Sequence, residues 1–150
     1  MNLSISDIEN NLNSLSGELQ PDLKKIISTE FSEDTECLDF EVKNYSYNWY
    51  IVCYPMDNDR NQTGSPLNLL ENHRKTGIII PSAMQSISDE HDYEIEAFCD
   101  ENMREIIELI AKWLQKNWNE VISKSKFEIS AFMMLIDETD KFNLKTGKWE

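Results

Sequence analysis

The stretch Glu36–Tyr54, ECLDFEVKNYSYNWYIVCY, decides the fold class. Leu38, Phe40 and Val42 alternate with Cys37, Asp39, Glu41 and Lys43, the period of a strand with one wet face. After Asn44-Tyr45-Ser46, the run YNWYIVCY is apolar on both faces, which suits a strand inside a sheet. The two read as a hairpin. A register that sets Leu38 opposite Cys53, Phe40 opposite Ile51 and Val42 opposite Trp49 keeps the apolar residues on one shared face. It also puts Cys37 and Cys53 on opposite faces, where they do not bridge.

Upstream, Ile5, Ile8, Leu12, Leu15 and Leu19 form an apolar stripe at helical spacing. Ser6-x-x-Glu9 reads as a capping box, and Pro21 fits the first turn of a second helix. Helices are expected near 6–16 and 20–30. Downstream, residues 55–66 are turn formers and polar groups. Ser65-Pro66 opens a short helix carrying Leu67, Leu69 and Leu70, and Ile78–Ile80 reads as a short buried strand ended by Pro81. Residues 82–92 form a second polar loop. Tyr93, Ile95 and Ala97 alternate with Glu94 and Glu96, as in a strand.

A long helix is expected from about Asp100, its N-cap, to Ile122. Met103, Ile106, Ile107, Ile110, Trp113, Leu114, Val121 and Ile122 give it a stripe wide enough to cover a sheet. FEISAFMMLI (127–136) reads as another interior strand. The tail turns at Lys145-Thr146-Gly147, with Phe142, Leu144 and Trp149 as apolar contacts. The expected fold is α+β: an antiparallel or mixed sheet of about five to six strands, packed by the long helix and the N-terminal helices. With 150 residues, no linker and no repeat, residues 1–150 read as a single domain.

Charge narrows the function classes. The chain carries 14 Lys+Arg against 28 Asp+Glu, a formal net charge of −14. Nucleic-acid phosphate and anionic membranes repel such a chain, so neither is an expected partner. A basic protein attracts it and meets it faster. Three cysteines at long spacings make neither a disulfide framework nor a zinc site, and the N-terminus lacks the form of a signal peptide. Both point to a reducing cytoplasm.

Motifs for chemistry are scarce. Asp57-x-Asp59-x-Asn61 matches the first three ligands of a calcium loop, but Gln62 stands where that loop needs Gly and Asn68 where it needs a bidentate Glu. It reads as a solvated turn. His73 and His91 have no ligand spacing, and no phosphate-binding glycine loop or nucleophile elbow occurs. No catalytic, cofactor or metal residue is assigned.

In size, acidity and lack of catalytic motifs, the chain resembles the small acidic immunity proteins that bacteria make against their neighbours' toxins. The resemblance lies in composition and assigns no residue a role. It implies a non-catalytic inhibitor that docks on a basic toxin by charge. The acidic residues Asp57, Asp59, Asp89, Glu90, Asp92, Glu94 and Glu96, with Trp149 as an aromatic anchor, are the expected contact residues. The alternatives are an enzyme with a carboxylate or cysteine site, and a structural homo-oligomer.

Overall fold

The structure is a computed structural model that describes residues 3–45, 48–81, 84, 92–136 and 138–150. It is α+β, with a mixed six-stranded sheet. The helices are α1 (Ile5–Ser14), α2 (Ser16–Ile27), α3 (Asp92–Glu101) and α4 (Met103–Ile122). The strands are β1 (Cys37–Tyr45), β2 (Asn48–Met56), β3 (Leu67–Asn68), β4 (Ser130–Leu135), β5 (Phe142–Asn143) and β6 (Lys148–Trp149), in the order β3-β2-β1-β4-β5-β6. β1 runs antiparallel to β2 and parallel to β4; all other pairs are antiparallel.

The hairpin forms with its faces as expected and its register shifted by two residues. Leu38 lies opposite Pro55, Phe40 opposite Cys53 and Val42 opposite Ile51. The expected pairing places a two-residue connection at Tyr45-Ser46. The observed one makes Tyr45 and Asn48 partners, which moves the two-residue connection one position along the chain. Cys37 and Cys53 stay on opposite faces.

Leu38, Phe40, Val42, Trp49, Ile51, Cys53, Ala131 and Met133 line the inner face, and all are buried. The apolar stripe of α4 covers them. The Trp118 ring stands edge-on to Phe40 at 5.4 Å and to Phe127 at 5.6 Å. α1 and α2 close the other side of α4. There the Ser16 hydroxyl accepts from Trp113 Nε1 at 3.0 Å, and Gln20 Nε2 donates to Asn117 Oδ1 at 2.9 Å. Buried Asn117 thus has partners, as a buried amide must.

Several local expectations are corrected. The capping box is Ser4 with Asp7, two residues earlier than Ser6 and Glu9. That start lets Leu3 and Ile8, both buried, flank the cap as a hydrophobic staple. Pro21 sits inside α2, because the chain breaks at Leu15, which ends α1 and precedes α2. Residues 92–101 are helical, not a strand: buried Ile95 and Cys99 lie one turn apart. The long helix starts at Met103. Asp100 is no N-cap but part of α3, and Asn102 parts the two helices by donating from Nδ2 to the Phe98 carbonyl at 2.9 Å.

Leu67–Asn68 pairs with β2 where a helix was expected. Leu70 then turns left-handed, at φ 51°, with its N–H on the Asp22 carboxylate, and only a 3₁₀ turn follows at Glu71–His73. Ile78–Ile80 is buried as expected but is no strand. Ile78 donates its N–H to Trp49 O and accepts from Asn11 Nδ2.

Candidate functional site

Two surfaces stand out. The first is the acidic segment 89–108, which holds nine Asp or Glu and one Arg. Within it, α3 places Ile95 and Cys99 in the core and packs Phe98 partly buried against it. Glu94, Glu96, Asp100 and Glu101 are exposed, and α3 carries no cation. Tyr93 is 85% exposed, the most open of the large hydrophobic side chains among the described residues. At helical spacing Tyr93, Glu96 and Asp100 share one face, so a phenol ring stands beside two carboxylates. The sequence reading assigned Glu94 and Glu96 but missed Tyr93 and Asp100, because a strand would have turned Tyr93 to the same side as Ile95. Asp89, Glu90 and the Asp92 side chain lie outside the described residues.

Asp57 and Asp59 lie elsewhere, in the turn after β2. The Asp57 carboxylate accepts from the N–H groups of Asn61 at 2.8 Å and Asp59 at 2.9 Å. The bond from the Asn61 N–H is the main reason the Asp57 carboxyl sits below its ordinary value. The Asp57 carboxylate, first of the apparent calcium ligands, is therefore occupied in holding a turn. Among the described residues, no group of three His, Cys, Asp or Glu is placed to hold a metal ion.

That turn borders the second surface, the open face of the sheet. Odd residues of β1 and even residues of β2 and β4 point to it: Asp39, Glu41, Lys43 and Tyr45; Tyr50, Tyr54 and Met56; Phe132 and Met134. This explains the two-sided apolar pattern of β2. Its second face carries Tyr50, Tyr54 and Met56, each half-buried, around a buried Val52. A cavity of about 340 Å³ opens here between Asp39, Glu41, Tyr54, Arg60, Met134 and Lys141. Arg60, left-handed at φ 64°, is carried to its rim by the Asp57 turn.

Cations lie over the rings of this face. Lys43 is 5.3 Å from the Tyr54 centroid, Arg74 4.8 Å from Tyr50 and Lys141 5.6 Å from Phe132. At the cavity floor Lys141 Nζ donates to both oxygens of Asp39, at 3.1 and 3.2 Å. Cys37 lies beside Asp39, and burial first, then that carboxylate, raises its thiol. Burial likewise raises Cys53, and pushes Cys99 up to about 12. Such thiols stay protonated at neutral pH, which disfavours a thiolate nucleophile.

Trp149 is 38% exposed at the sheet edge. Its ring packs edge-on against Phe142 at 5.3 Å, and its Nε1 donates to Glu108 Oε1 at 2.7 Å. It ties the C-terminal hairpin to α4 and keeps about a third of its surface for a further contact. No helix among the described residues is long and apolar enough to cross a membrane. Comparisons with protein-family models, curated proteins and solved structures find no significant match to this chain.

Proposed function

We propose that this chain is a non-catalytic acidic binding protein that docks on a basic protein, in the manner of a toxin-immunity inhibitor. The observation that carries the reading is the charge of α3 and its flanks: nine carboxylates and one arginine in residues 89–108, with Tyr93 exposed among them. A field of this sign raises the encounter rate with a cationic surface. An exposed tyrosine adds rigid contact area and a ring face that receives a lysine or arginine. On this reading Glu94, Glu96, Asp100 and Tyr93 form the contact, while the Asp57 carboxylate serves its own turn.

The test is to reverse Glu94 and Glu96 to Lys and measure association with the partner captured from the host. The reading expects association to slow at least tenfold at low salt, with dissociation changed less and the unfolding midpoint unaltered. Association at the wild-type rate would reject α3 as the docking surface.

A further inference from the structure

We infer that α3 is a helix gated by charge: its own carboxylates loosen it in the free chain, and a cationic surface that neutralises them tightens it. The inference rests on the reading of α3 as the docking surface and adds that docking and ordering are coupled.

The hold on α3 is narrow. The helix has ten residues, Asp92–Glu101. A helix of that length is marginal alone and depends on its packing. Ile95 and Cys99 are buried one turn apart, and Phe98 packs partly buried beside them. The neighbouring α4, by contrast, buries nine residues between Ile106 and Val121.

Charge works against that hold. α3 has no Lys, Arg or His. Glu96 and Asp100 are exposed four residues apart, the spacing at which like charges on a helix repel. Burial first, then Asp100 and Glu96, raise the Cys99 thiol, so the fields of the two carboxylates overlap there. Asp100 and Glu101 also occupy the last turn, the negative end of the helix dipole, where a carboxylate is unfavourable and a cation favourable. Arg104, the next cation along the chain, stands in α4 beyond the break at Asn102. Among the described residues, Glu96, Asp100 and Glu101 form no ion pair.

A cation set on this helix cancels the repulsion between Glu96 and Asp100 and the adverse charge of the last turn. It therefore binds the formed helix better than the opened one, which is the condition for shifting the balance between them. The spacing sets the partner's chemistry. Lysine or arginine groups about 6 Å apart along the helix meet Glu96 and Asp100 together. Tyr93, on the same face, receives one of them on its ring. Affinity for such a surface is reduced by the fraction of chains in which α3 is open.

Amide hydrogen exchange on the full chain, read by mass spectrometry at low salt, tests this. In the free chain, residues 95–101 should exchange at least tenfold faster than residues 106–121. Saturating tetralysine should slow 95–101 at least fivefold and leave 106–121 unchanged. Asp100→Lys, which puts a cation in the last turn four residues after Glu96, should produce the same slowing with no ligand. Exchange in 95–101 that is as slow as in α4, or that is indifferent to tetralysine or to Asp100→Lys, overturns the inference. A host partner that associates equally well with the chain carrying Glu94→Lys and Glu96→Lys would instead reject the docking reading, with the responses to tetralysine and Asp100→Lys in the wild-type background intact.

Discussion

Lys141 grips both carboxylate oxygens of Asp39 across the open face of the sheet, at 3.1 and 3.2 Å. Asp39 is one of the two buried polar or charged residues in the described chain, and it sits on β1 between β2 and β4. A buried carboxylate is tolerable only while its charge has a partner. Lys141→Met removes the partner and keeps the stem. It should cost about 3 kcal/mol, the low end for a broken buried pair, because the lysine end is partly open to water. Asp39→Asn should cost less. Urea unfolding measures both, and a Lys141→Met loss below about 1 kcal/mol would mean that water, not Lys141, satisfies Asp39.

Trp118 joins α4 to the sheet through Phe40 and to the chain before β4 through Phe127. Trp118→Ala removes two edge-to-face contacts and opens a cavity in the core. The expected loss is about 3–5 kcal/mol. Denaturant unfolding followed by far-UV circular dichroism checks it, and a shift under about 1 kcal/mol would show that α4 does not seat on β1 through this ring.

Two glycines should respond with opposite signs. Gly77 has φ 80°, and a methyl group there would stand 2.8 Å from Trp49 N and 3.1 Å from Asn48 Oδ1. Gly77→Ala should destabilise by about 1–3 kcal/mol. Gly17 lies inside α2 with nothing within 4 Å of such a methyl. Gly17→Ala should stabilise by about 0.5–1 kcal/mol. Equal signs in thermal unfolding would contradict this placement of one residue or the other.

The thiols report burial and carry a pH dependence. Burial lifts Cys99 from its ordinary 9.0 to about 12, with Asp100 and Glu96 adding to the rise, and burial raises Cys53 as well. The folded chain therefore keeps protons that the unfolded chain gives up. This contribution is complete below pH 9 and is lost as pH climbs towards 12. A disulfide reagent at neutral pH should modify Cys37 slowly in the native chain and reach Cys53 and Cys99 only after denaturant is added. Prompt native modification at Cys53 would mean that β2 opens locally.

How much of this was legible in the sequence depends on which physical rule sets each feature. The inner face of the hairpin follows from alternation at Leu38, Phe40 and Val42, and Trp118 follows one turn after Leu114. The two-residue register shift does not follow from alternation, because both registers bury the same side chains and both leave two residues for the turn. Tyr93–Ala97 alternates for five residues, too short to tell a strand from a helix whose buried residues are Ile95 and Cys99. At the candidate site, Glu94 and Glu96 were readable as charge. Asp100 and Tyr93 join them only once the segment is helical. The aromatic open face was hidden because a two-sided strand reads as buried on both sides. The Asp39–Lys141 pair joins residues 102 apart in sequence, and no local pattern announces it.

The most direct test of the central claim is capture on the immobilised chain from its native host, eluted in steps of salt and read by mass spectrometry. Docking through the acidic surface predicts one basic protein, retained at low salt and released as screening shortens the reach of the charges to about 8 Å near physiological strength. The same capture with Glu94→Lys and Glu96→Lys should recover far less of it. A partner that is not basic, or whose retention is indifferent to salt and to both reversals, would contradict the account.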